Sequence, residues 1–125
     1  MSKLLERLRD PGRSGVYRAS GAQAIEEATR SSALDVVTID VGASVFDAMA
    51  RALEFPDWFG HNWDALADVL EDRDWLGRHG IVIALSHATA YRREHPHEWS
   101  TLEDLLREAS EFWKERHAGF WIFVA

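Results

Sequence analysis

The chain of 125 residues contains no cysteine, few prolines and no long apolar run. Without cysteine, it can form neither a disulfide framework nor a thiolate metal site, which agrees with a reducing cytoplasm. None of its apolar segments approaches the roughly eighteen residues that a membrane-spanning helix needs. The N-terminal segment MSKLLERLRDPG is too charged for a secretory signal. We therefore expect a cytoplasmic protein that does not bind membranes.

The sequence also lacks the common signatures of enzymes. No serine lies in a G-x-S-x-G turn, and no cysteine is available as a nucleophile. Four glycines do not have the spacing of a phosphate-binding loop: Gly12, Gly15, Gly21 and Gly42. Asp64 and Asp68 form a carboxylate pair at helical spacing, but a solvated helix face is a poor setting for general acid–base catalysis. We therefore expect neither an enzyme nor a cofactor.

The six histidines do not form a convincing metal site. His95 and His97 lie in a charged segment together with Glu94 and Glu98. A zinc site needs three or four converging ligands with fixed orientations, whereas a His-x-His pair in such a segment more often lies in solvent. His61 precedes a predicted helix start, where we expect a local hydrogen bond. The sequence therefore predicts no bound metal.

The composition indicates a folded, acidic protein, which is better suited to a basic partner than to nucleic acid. A hydrophobic content of 46% and a charged content of 28% are typical of globular proteins. The length is sufficient for one domain with a substantial core. A formal net charge of −7 argues against nucleic-acid binding, which depends on Lys and Arg neutralising phosphates. The same charge would attract a basic protein.

Alternating strand and helix patterns predict an α/β fold. Apolar or β-branched segments predict strands at 15–19, 36–41, 81–85 and 120–124. Amphipathic segments predict helices at 20–30, 44–55, 62–72 and 100–117, with a charged loop at 87–99. This order is typical of βαβ units with right-handed crossovers. We expect a small, mainly parallel sheet of three to four strands flanked by helices, in a single domain.

Capping patterns support three of the predicted helix starts. Ser44 with Asp47, and Ser100 with Glu103, resemble capping boxes. Asn62 is a favourable residue at the start of a helix because its side chain can accept a backbone hydrogen bond. We therefore place helix starts at these three positions.

The most informative segment is 55–70, FPDWFGHNWDALADVL. Asp64, Asp68 and Asp72 recur every fourth residue and lie along one face of the predicted helix. A separate stripe faces the core: Trp63, Leu66 and Leu70. Like charges at this spacing weaken a helix by a few tenths of a kcal/mol. The acidic face is therefore suited to a positively charged partner.

The loop before this helix contains two adjacent aromatic residues, Trp58 and Phe59. Trp is enriched among the residues that anchor protein interfaces. We expect Phe59 to point into the core and Trp58 to point outward. Gly60 is suited to a sharp turn and to close approach of a partner to the backbone. Trp75, beyond the acidic helix, either covers the helix end or joins the same surface.

Segment 55–70 resembles the signature of the barstar family, small intracellular inhibitors of ribonucleases. The matching residues are Pro56, Asp57, the two aromatic residues, Gly60, Asn62, Asp64, Ala65, Leu66 and Asp68. The order of predicted elements from about Asp35 to the end also agrees with this family. The resemblance therefore divides the single domain into an N-terminal extension, residues 1–34, and a core, residues 35–125.

The resemblance also implies a partner-binding site. In this family the loop and the following helix block the active site of the secreted ribonuclease barnase. Asp68 matches the carboxylate that occupies the enzyme's phosphate site, and Asp64 matches a second interfacial carboxylate. Trp58 matches an aromatic residue, normally tyrosine, that packs over a catalytic histidine of the enzyme. Gly60 and the loop backbone would add contacts.

Departures from the family pattern leave the target open. Ala67 stands where the family has an interfacial tryptophan, and Asp72 has no clear counterpart. The family has a further interface acid on its last helix, for which Lys114 and Glu115 are both candidates. We expect an inhibitor of the antitoxin or immunity type that is monomeric when free. The alternative is an interaction module of the same fold whose target is not a ribonuclease.

Overall fold

The computed structural model describes residues 13–18, 35–42, 44–72 and 81–124. The strands in this part of the chain are β1 (Gly15–Arg18), β2 (Asp35–Asp40), β3 (Ile81–Ser86) and β4 (Phe120–Val124). The helices are α1 (Val45–Ala52), α2 (Trp63–Leu70), α3 (Ala88–Glu94) and α4 (Pro96–Glu115). The helix predicted at 20–30, Trp75, and the N-terminal twelve residues lie outside the described residues.

The four strands form one parallel sheet in the order β1-β4-β3-β2. β3 pairs with β2 along its whole length and with β4 from Ile81 to Leu85. β1 lies at the edge, with Gly15 opposite Trp121. The prediction of an α/β fold with a small, mainly parallel sheet is therefore confirmed.

The central strands are buried on both faces, as continuous apolar sequence predicts for a parallel sheet. On one face Ile83, Leu85 and Ile122 join the core formed with the helices. Val82 and Trp121 alternate with them and are also buried. A side chain at Gly119 would overlap the indole of Trp121, so the residue before β4 has to be small.

α4 packs on the sheet through a stripe that repeats at helical spacing. The buried members of this stripe are Trp99, Leu102, Leu106, Ala109 and Trp113. The indole Nε1 of Trp113 donates a hydrogen bond of 2.7 Å to the carbonyl of Leu70. Since carbonyls in the last turn of a helix lack intrahelical partners, this bond attaches the end of α2 to α4.

The prediction of a loop at residues 87–99 is wrong, because α3 and the first turn of α4 occupy this segment. Pro96 suits the first turn of a helix, where its missing N–H is not needed. Buried Trp99 extends the apolar stripe one turn before Leu102. The predicted start of this helix at Ser100 is therefore also wrong. The many charged side chains of this segment lie in solvent and concealed its helical pattern.

The predicted cap at Ser44 is confirmed in position but not in chemistry. Ser44 precedes α1 with an extended backbone, yet its side chain makes no capping hydrogen bond. Asp47, the other half of the expected capping box, instead contacts a histidine of the following loop.

None of the helices in the described ranges is both long and apolar enough to cross a membrane.

Candidate protein-binding site

The loop between α1 and α2, residues 53–62, is attached to the core through Phe59. This side chain is 5% exposed, and its ring packs edge-on against Phe55 at a centroid distance of 4.9 Å. The N–H of Phe59 donates to the carbonyl of Pro56 at 3.0 Å, which closes a tight turn. Trp58, inside this turn, is 61% exposed. The expected inward and outward orientations of the two aromatic residues are confirmed.

Asn62 joins the loop to α2 through both ends of its amide. Its Oδ1 accepts a hydrogen bond from the N–H of Ala65 at 2.8 Å, as expected of a helix cap. Its Nδ2 donates to the carbonyl of Gly60 at 3.2 Å. The prediction that Asn62 caps this helix is confirmed.

Gly60 is small for a steric reason and not for a conformational one. Its backbone is not left-handed, so its conformation does not require glycine. The left-handed residues of the loop are Glu54 and His61, with φ of 53° and 52°. A Cβ on Gly60 would lie 3.1 Å from Nδ2 of Asn62, so a larger residue would press against the helix cap.

His61 ties the end of the loop to α1. Its Nε2 lies 3.1 Å from Oδ1 of Asp47, and its Nδ1 lies 3.2 Å from the carbonyl oxygen of Phe59. Histidine is one of the residues that tolerate a left-handed backbone. The local hydrogen bond expected for His61 is confirmed. Sequence reasoning missed Asp47 as its partner, since the two residues lie on different elements.

The solvent face of α2 presents two carboxylates one turn apart. Asp64 and Asp68 are both exposed, and the opposite face of the helix is buried through Leu66, Val69 and Leu70. The prediction that the acidic stripe includes Asp72 is wrong, although the helix ends within two residues of its expected end at about Asp72. The helix ends at Leu70, and Asp72 is half-buried beyond it, with its N–H bonded to the carbonyl of Val69.

The acidic surface continues from the end of α2 onto α4. Burial raises the pKa of Glu71 above its ordinary value, and the nearby carboxylates of Glu108 and Asp68 raise it further, against the effect of Arg116. A groove of about 390 Å³ runs beside these groups, lined by Glu71, Arg107, Glu108, Glu111, Phe112 and Glu115. Sequence reasoning missed this groove because it depends on how α2 packs on α4.

The two candidates on the last helix are now distinguished by position. Lys114 and Glu115 are both exposed at the end of α4, but only Glu115 lines the groove next to α2. His95 and His97 are exposed at the other end of this helix. Across the described ranges, no group of three or more His, Asp or Glu side chains is arranged to hold a metal ion.

The site therefore consists of one exposed aromatic ring and a row of carboxylates on a well-anchored support. Such a surface can accept charge-assisted hydrogen bonds from the Arg, Lys or His side chains of another protein.

A family model described as "Barstar (barnase inhibitor)" matches residues 29–125, which include every described element except β1. A search among curated proteins found no match.

Proposed function

The chain belongs to the barstar family, and we propose that it inhibits a basic ribonuclease by covering the enzyme's active site with the loop at Trp58 and the acidic face of α2. The family is one of ribonuclease inhibitors and not of enzymes. The observation that carries the proposal is the joint exposure of Trp58, Asp64 and Asp68 beside a fully packed support.

The chemistry of the target explains this surface. A ribonuclease has to present Arg, Lys and His side chains to bind the phosphates of RNA. An inhibitor can satisfy the same groups with carboxylates, through hydrogen bonds that strengthen when water is excluded. In this proposal Asp68 occupies the phosphate site and Asp64 pairs with a neighbouring cation. The net charge of −7 speeds the encounter with a basic enzyme.

The loop supplies shape as well as charge. Trp58 offers a broad, rigid ring that packs over a catalytic histidine of the enzyme, in the manner of an interface anchor. Gly60 is exposed and has no side chain, so the backbone of the partner can approach closely there. The groove beside Glu71 takes a further basic side chain. A cell that makes such a nuclease would use this cytoplasmic, monomeric inhibitor as an antitoxin or immunity protein.

Inhibition of barnase, the enzyme that the family description names, tests this proposal. We expect the purified chain to block RNA cleavage in a stoichiometric titration, and to compete with a dinucleotide bound in the active site. We also expect association to slow as salt is added, because charge steering is screened. A complex that forms equally well with the dinucleotide-filled site would contradict the proposal, and a barnase that the chain leaves uninhibited would exclude that enzyme as its target.

One observation favours an alternative, a module of the same fold with a target that is not a ribonuclease. Ala67 stands where the resemblance places an interfacial tryptophan, and it is half-buried. Only a methyl group is available there, so the contact area of the family interface is reduced. Under this alternative the chain binds a basic protein through the same surface while RNA cleavage by barnase continues in its presence.

A further inference from the structure

A second cavity lies beside the first half of α4, and Arg107 lines both it and the acidic groove. The carboxyl ends of β1 and β4 meet the start of α3 and the first half of α4 around a cleft of about 580 Å³. Arg18 and Val124, the last residues of their strands, both line it. Ligands of parallel α/β sheets bind outside the carboxyl ends of the strands, and cavities of roughly this size hold small molecules.

The rim of this cleft is positive, although the chain as a whole is acidic. Three elements each contribute one arginine, namely Arg18 from β1, Arg92 from α3 and Arg107 from α4. Glu103 is the only acidic side chain among the described lining residues, and it lies 3.8 Å from Nε of Arg107. Within the described ranges, neither Arg18 nor Arg92 has a carboxylate at ion-pair distance. Guanidinium groups such as these can donate hydrogen bonds to an anion.

The floor of the cleft has a different character. It is formed by the apolar side chains Val16, Ala88, Trp99 and Val124. The hydroxyl-bearing residues Thr89 and Ser100 also line the cleft. An apolar floor with a few polar groups around it is the usual composition of a small-molecule site. Guanidinium forks match the oxygens of phosphate groups, to which they can donate two hydrogen bonds at once.

We propose that this cleft binds a small phosphorylated ligand about the size of a nucleotide. The phosphates contact Arg18, Arg92 and Arg107, and the less polar part of the ligand lies on the floor beside Trp99. The site does not depend on the inhibition of a ribonuclease, because it contains neither Trp58 nor any residue of the acidic face of α2, and Arg107 is the one lining residue that it shares with the acidic groove. Arg92 is exposed, so its replacement tests binding without disturbing the core.

Calorimetric titration of the full chain at constant ionic strength tests this proposal. The probes are ADP, inorganic pyrophosphate and adenosine. We expect saturable binding of one ADP, weaker binding of pyrophosphate, which cannot use the floor, and the weakest binding of adenosine, which lacks the phosphates. Heat that rises without saturation, or adenosine binding as tightly as ADP, would overturn the proposal.

Three charge variants locate the site. Arg92→Gln should weaken ADP binding at least about fivefold, since hydrogen bonds to charged groups are the stronger kind. The matched control is Arg51→Gln, because Arg51 occupies the last turn of α1 just as Arg92 occupies the last turn of α3, and it should leave the affinity unchanged. Glu103→Gln should strengthen binding by removing the negative charge of the cleft. Equal losses in Arg92→Gln and Arg51→Gln would show a general charge effect and refute the site.

Discussion

Residues 55–70 contain two sets of side chains that the fold treats in opposite ways. Phe59 and Leu66 are buried, and the side-chain amide of Asn62 forms hydrogen bonds with the backbone at the helix cap. Trp58 and Asp68, close by in sequence, are left in solvent. The first set completes its interactions within the chain, whereas the second set is exposed and forms the surface that we propose for a partner. Substitutions in the two sets should therefore affect different measurements.

The largest effect on stability is expected for Phe59→Ala. Removal of a buried aromatic ring leaves a cavity and lowers the free energy of unfolding by about 3–5 kcal/mol. Trp58→Ala is the matched control, because it removes a neighbouring ring that is mostly exposed, and it should change stability by less than about 0.5 kcal/mol. Urea denaturation measures both. Similar losses of stability in the two variants would show that Trp58, like Phe59, packs in the core.

The same Trp58→Ala variant, which should hardly change stability, should have a large effect on binding. As an interface anchor, Trp58 should contribute about 2 kcal/mol to the binding free energy. Isothermal titration against barnase that has been made catalytically inactive gives this value. A variant that binds as tightly as the unchanged chain would remove Trp58 from the proposed interface.

A smaller effect is expected for Asn62→Ala, which lies between the two sets. Loss of the helix cap should lower the free energy of unfolding by about 1 kcal/mol. Asn62→Asp keeps an oxygen that accepts the hydrogen bond from Ala65 and should retain most of the stability, but it loses the bond donated to Gly60. If the alanine and aspartate variants unfold alike, the cap does not stabilise α2.

The smallest effect is expected for Glu71→Gln, and it should depend on pH. Burial and neighbouring carboxylates raise the pKa of Glu71 above its ordinary value of 4.5. The folded state then binds the proton more tightly than the unfolded state, so this group costs stability as pH rises from 4.5 through its raised pKa. The variant should melt slightly higher than the unchanged chain at pH 7 and at the same temperature near pH 4. A gain that persists at low pH would point to another cause.

Much of the fold is predictable from the sequence because the periodicity is strong where the core is formed. The run IVIAL predicts a central strand, and the structure places it there. The helices at 88–99 escaped prediction because most of their side chains are polar and only a few, such as Trp99, face the core. A short amphipathic helix with a narrow apolar face resembles a polar loop.

The candidate site, too, could be predicted from the sequence only in part. The outward Trp58, the inward Phe59 and the cap at Asn62 follow from local chemistry and were predictable. The contact between His61 and Asp47 and the groove beside Glu71 depend on how α1, α2 and α4 pack. Contacts between different helices cannot be predicted from the sequence pattern of any one segment, so only the structure reveals them.

The affinity for inactive barnase of two charge-matched variants, Asp68→Asn and Glu94→Gln, tests the central claim most directly. Each removes one negative charge from an exposed side chain, the first on the acidic face of α2 and the second at the end of α3. We predict that Asp68→Asn weakens binding by at least about 2 kcal/mol, because a cation of the enzyme loses its partner, and that Glu94→Gln leaves the affinity nearly unchanged. Equal, small effects of the two substitutions would contradict the assignment of α2 as the inhibitory surface.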